Sequence, residues 1–94
     1  MNKSWLVKRF RKPLIVRRVV GHSMSPTLLP SQIVFASSIL SPKINSIVIA
    51  EIYDKQIIKR ASKISGNKFY LSGDNPGHDY GWVNAQSVIA TVIH

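Results

Sequence analysis

The chain has 94 residues, room for one domain with a modest core, and its 45% hydrophobic content is that of a folded protein. It contains no cysteine, which excludes disulfides, thiolate metal sites and cysteine nucleophiles. Thirteen Lys and Arg against four Asp and Glu give a net charge of +9, which draws the protein toward anionic partners.

In chain order, the basic surplus comes first. Lys3, Lys8, Arg9, Arg11, Lys12, Arg17 and Arg18 fall in the first 18 residues with no acid among them. Such a run reads either as a solvated arm or as a surface for phosphate backbones or acidic lipid. Charges cut every apolar run of "SWLVKRFRKPLIVRR", so no signal-peptide core is present. No stretch reaches the roughly 18 to 20 apolar residues that span a bilayer. The expectation is a soluble, cytoplasmic chain with a basic arm over residues 1–13, a boundary near Pro13, and peripheral membrane contact through that arm left open.

The remainder reads as short strands. "LIVRRVV" (14–20), "QIVFAS" (32–37), "SIVIAEIY" (46–53), "QIIKRAS" (56–62), "KFYLSG" (68–73) and "SVIATVI" (87–93) are rich in β-branched and aromatic residues, and Pro, Gly, Asn and Ser punctuate them. Their spacing predicts an all-β fold, a small antiparallel barrel or sandwich. No segment sustains a 3.6-residue period. One short helical turn is expected from Ser25, with Pro26 at its first position and Pro30 ending it. "SGNKFY" (65–70) predicts a hairpin loop. "SGDNPGHDYGW" (72–82) is dense in residues that bond the backbone and predicts a loop held in one shape.

"VVGHSMSPTLLP" (19–30) places a hydroxyl, Ser23, where a strand turns into the Pro26 segment. A catalytic serine needs an exposed hydroxyl, a base within reach and donors for an oxyanion. His22 is a poor base for Ser23, because neighbouring side chains in an extended chain point apart. His78 with Asp74 or Asp79 would make a Ser/His/Asp set, or a metal site in the same loop, although no ligand spacing stands out. Lys59 is the other candidate. In a strand it shares a face with Ile57 and Ala61, while Ile58 and Arg60 take the opposite face. Free lysine, with a pKa of about 10.4, is protonated at neutral pH and cannot accept a proton. Burial against apolar neighbours lowers that value, and a drop of three units corresponds to roughly 4 kcal/mol against the charged form. The alternative is a lysine that snorkels from a sheet edge to water.

Three segments together resemble one family. "GHSMSPTL" is similar to the G-x-S-M-x-P-T-L box of type I signal peptidases, which share a catalytic fold with LexA-like self-cleaving repressors. "IIKRA" resembles the strand carrying that family's Lys-Arg pair, and "LSGDNPGHDYGWV" resembles its G-D-N box. The resemblance covers about residues 15 to 93 and assigns 14–94 to a Ser/Lys peptidase domain. It implies that Ser23 is the nucleophile and Lys59 the general base. Gly21, His22 and Met24 would border the substrate and the oxyanion, and Pro26, Arg60, Gly73, Asp74, Asn75 and Asp79 would support the site. It implies no metal and no cofactor. Gly21 stands where bacterial signal peptidases often carry a serine that aids the oxyanion. The loop after G-D-N is shortened to "PGHDYG", so another group, such as a main-chain carbonyl or Tyr80, would have to orient Lys59. The short, anchorless chain resembles the nickel-type superoxide dismutase maturation proteases. That implies a precursor protein, such as the dismutase precursor, as partner, cleaved at its leader peptide. Signal-peptide processing at a membrane and a non-enzymatic basic β-barrel binding nucleic acid are the alternatives.

Overall fold

The computed structural model describes residues 13–94; the basic arm, apart from Pro13, lies outside them. The apolar runs form seven strands: β1 (Leu14–Arg18), β2 (Ile33–Ser37), β3 (Ser46–Ile52), β4 (Lys55–Ser65), β5 (Lys68–Ser72), β6 (Gly81–Asn84) and β7 (Val88–Ile93). They make one sheet in the order β1-β2-β7-β3-β4-β5-β6, with every pairing antiparallel. The fold is therefore all-β, as the strand pattern predicts. Among the described residues no helix is long and apolar enough to cross a membrane.

The last strand in sequence is central in space. β7 pairs with β2 on one side and β3 on the other. It is the ladder that joins the β1–β2 pair to the β3–β6 meander.

β3 explains its own continuous apolar run. Ile47 and Ile49 enter a core cluster with Val19, Met24, Leu28 and Val34, whereas Val48 and Ala50 enter a second with Ala61, Phe69 and Leu71. Successive side chains of a strand point to opposite faces. A strand covered on both sides reads as unbroken hydrophobic sequence rather than as alternation. β4 divides in the same way, with Ile57 packed on the second cluster and Ile58 on the first.

Two tight hairpins set the register of the meander. Gly66 takes a φ of +57° in the β4–β5 turn, where Ser65 pairs with Lys68, as the Gly-Asn signal predicts. The β3–β4 turn uses Tyr53 and Asp54, both at positive φ (48° and 66°), with Ile52 paired to Lys55. Positive φ at both central positions is the demand of a type I′ turn.

Two expectations need correction. The 3-10 helix lies at Ala85–Ser87, just before β7, and not after Ser23. Residues 21–27 are instead a run of bends and turns, with Leu28 N–H bonded to the Met24 carbonyl at 2.9 Å and the Ser25–Pro26 peptide cis. Ser25 is no helix cap: its buried Oγ has no hydrogen-bond partner. β6 is the strand that the loop-like composition of 72–82 concealed.

Candidate active site

The Ser23 loop hangs between β1 and β2. Val19 N–H bonds to the Gln32 carbonyl and Ser31 N–H to the Val19 carbonyl, each at 2.8 Å, closing the loop at its base. Gly21 turns the chain with a φ of +80°, and Ser25 N–H bonds back to the His22 carbonyl at 3.1 Å. Met24 and Leu28, both fully buried, fasten the underside of the loop into the first core cluster. Ser23 is left half-buried above them.

A second loop clasps the first. Asn75 donates its backbone N–H to the Ser23 carbonyl and its side-chain Nδ2–H to the His22 carbonyl, both at 3.0 Å. Asp74 accepts from Thr27 Oγ1 at 2.6 Å, and from Arg60 Nε and Nη2 at 2.8 and 2.7 Å. That two-pronged pair joins β4 to both loops, and Arg60 Nη1 also donates to the Asn45 carbonyl. The Arg60 hydrogen bonds hold the Asp74 carboxyl below the usual carboxylate range, against the opposing effect of burial. Gly73 is needed for space. A Cβ there would stand 2.6 Å from the Ser23 carbonyl oxygen and 2.8 Å from His78 Cβ. Asp79 closes the loop on itself by accepting from Gly73 N–H at 3.2 Å and from the Tyr70 hydroxyl at 3.1 Å.

Between the loops and the sheet lies a cleft of about 460 Å³. Residues 17–24 form one wall and residues 56–59 the other, with Ile49 and His78 also bordering it. Ser23 and Lys59 thus face one cavity from separate elements. Lys59 sits opposite Val48 in the β3–β4 ladder and is partly buried. Burial pushes its amine below the ordinary lysine value, and the negative charge of Asp79 opposes that shift.

Of the other residues singled out by sequence, Gly21, His22 and Met24 all border the cleft. His78 borders it too, but Asp74 and Asp79 are bonded to other groups, as described above. Among the described residues no three His, Asp or Glu side chains gather in a metal-binding group. Sequence reasoning missed Arg17, Arg18 and Gln56 as cleft residues. Arg17 Nε donates to Gln56 Oε1 at 2.6 Å, linking the two walls. It also missed Thr27 and Tyr70 as partners of the second loop. Those contacts join positions 47 and 9 residues apart in the chain, and local patterning carries no signal for them.

No curated protein matches the chain significantly. The family described as Peptidase S24-like matches it over residues 1–93. The match supports peptidase activity of the serine type and accords with the LexA-like features of the fold. Because it spans nearly the whole sequence, the chain belongs to the Peptidase S24-like family.

Proposed function

We propose that the chain is a serine endopeptidase with a Ser/Lys dyad that removes an N-terminal leader from a precursor protein. The observation that carries this reading is the shared cleft. Ser23, half-buried on a doubly clasped loop, and Lys59, whose charged form is disfavoured by burial, border the same cavity. In the proposed reaction neutral Lys59 takes the proton of Ser23 Oγ, and the oxygen attacks the scissile carbonyl. The backbone N–H of Ser23, with those of its neighbours at the Gly21 bend, is the donor set we assign to the oxyanion. The lysine proton passes to the leaving amine, which departs with the downstream chain. Lys59, neutral again, then takes a proton from water as the water oxygen attacks the acyl-enzyme, and passes that proton to Ser23 Oγ as the ester bond breaks, which releases the upstream acid and restores the Ser23 hydroxyl. We assign a supporting role to Pro26, Arg60, Gly73, Asp74, Asn75 and Asp79, which shape or clasp the Ser23 loop.

The precursor we favour is that of nickel-type superoxide dismutase, on the resemblance of the "GHSMSPTL" box. Incubating purified protein with that precursor and with a generic secretory precursor, followed by mass spectrometry, tests both levels of the proposal. Trimming of the dismutase precursor at one site is expected. Ser23→Ala and Lys59→Arg should each abolish trimming while retaining the β-sheet circular dichroism spectrum, since a guanidinium stays protonated. An active Lys59→Arg protein would overturn the role of Lys59 as base. Trimming of the secretory precursor alone would overturn the dismutase assignment.

A further inference from the structure

The cleft is apolar beside Ser23 and Lys59, where Val20, Met24, Ile49, Ile57 and Ile58 border it, but cationic toward β1, where Arg17 and Arg18 border it. Those two guanidinium groups have no carboxylate partner among the described residues. Arg17 donates to the amide oxygen of Gln56 and to the Val16 carbonyl, and Arg18 donates to the Ser31 carbonyl. Acids are few in this chain. The chain has four, and none lies before Glu51. Asp74 is held by Arg60, and Asp79 by Gly73 N–H and Tyr70. Glu51 accepts from Gln56, behind the Arg17 contact, and Asp54 belongs to the β3–β4 turn. A guanidinium offers five N–H donors in a planar fork suited to a carboxylate, and neutral acceptors leave its charge uncompensated.

We infer that the cleft selects substrates carrying an Asp or Glu side chain close to the scissile bond, held by Arg17, whose guanidinium reaches across the cleft to Gln56. The inference rests on the Ser23–Lys59 reading for the position of that bond. Arg17 lies six positions before Ser23 in the chain. At about 3.3 Å per extended residue, that places the acidic residue within roughly six positions of the cleaved bond. Gln56 acts as a placeholder: it occupies Arg17 through a neutral acceptor that a carboxylate displaces.

The test is cleavage of a peptide library with blocked N- and C-termini, so that side chains are the source of carboxylates. Cleaved sequences are read by mass spectrometry for wild type, Ser23→Ala, Arg17→Gln/Arg18→Gln, and Lys43→Gln/Lys63→Gln as a charge-matched control outside the cleft. Sites cut by wild type but not by Ser23→Ala should be enriched in Asp or Glu within six positions. For one cleaved peptide, replacing that residue by its amide should lower kcat/KM about tenfold, the scale of a charged hydrogen bond. That preference should vanish in the arginine double variant and survive in the lysine control. No acidic enrichment, or enrichment that the arginine variant keeps, overturns the inference. Absence of any Ser23-dependent cleavage overturns the dyad instead. Fluorescence anisotropy then decides the arginine site by itself. A labelled, blocked Glu peptide binding wild type no better than its Gln counterpart refutes it, and a difference that only the arginine variant loses upholds it.

Discussion

Replacing Asp74 by asparagine removes the charge that ties three segments together while keeping the side chain's shape. The carboxylate receives three hydrogen bonds, two from Arg60 and one from Thr27, at 2.6 to 2.8 Å. Its side chain is 16% exposed and that of Arg60 is 26% exposed, so water screens the pair incompletely. Asparagine retains one acceptor oxygen but presents an NH₂ group to a second Arg60 donor. Hydrogen bonds to charged groups contribute about 1.5 to 3 kcal/mol each, and the three here share one acceptor and do not add. The expected loss is about 2 to 3 kcal/mol at pH 7. For a domain of this size that corresponds to a fall in Tm of roughly 10 to 20 °C. Urea denaturation and thermal melts of both proteins measure it. The pH dependence is a second check. Asp74 titrates below the ordinary carboxylate value when folded, so its contribution is complete above the unfolded value of about 3.9 and is lost as pH falls through the lower folded value. The gap between wild type and Asp74→Asn should therefore close in acid. A loss under 0.5 kcal/mol at pH 7, or a gap that persists unchanged into acid, would refute the role given to this carboxylate.

Two further outcomes follow from the same geometry. If Lys59 is the base, kcat/KM rises with pH as its amine loses a proton, and the rise begins below the ordinary lysine value because burial disfavours the charge. Asp79 holds the proton on, so Asp79→Asn should move the rising limb to lower pH; an unmoved or upward-shifted limb in a pH–rate profile would contradict this. Gly73→Ala should destabilise the fold by about 1 to 3 kcal/mol, the cost of overpacking, because the added methyl would stand 2.6 Å from the Ser23 carbonyl oxygen. Peptide cleavage should fall further than stability accounts for, and an alanine variant with wild-type turnover would show that the Ser23 loop tolerates displacement.

The strands were legible where β-branched runs were long enough to declare themselves. β3 stood out because both of its faces are buried. β6 did not: Gly81–Asn84 has four residues, one of them buried, and follows a stretch composed for turns. The β3–β4 hairpin was equally hidden, since Tyr53 and Asp54 adopt positive φ without the Asn-Gly signature that usually announces it. After Ser23, proline and serine suggested a capped helical turn, but bonds to Asp74 and Asn75, spanning 47 and 53 residues, shape the loop around it. The grouping of Ile57 apart from Ile58 was readable from strand alternation alone. The pairing of Arg60 with Asp74 was not, because it depends on how β4 and β5 bring distant chain segments side by side.

The placement of β7 bears on the integrity of the cleft. Ser23 follows β1 and Lys59 lies in β4, and the hydrogen-bonded ladder uniting those two halves is supplied by residues 88–93. The two sides of the cleft therefore keep their mutual position only while β7 stays seated between β2 and β3.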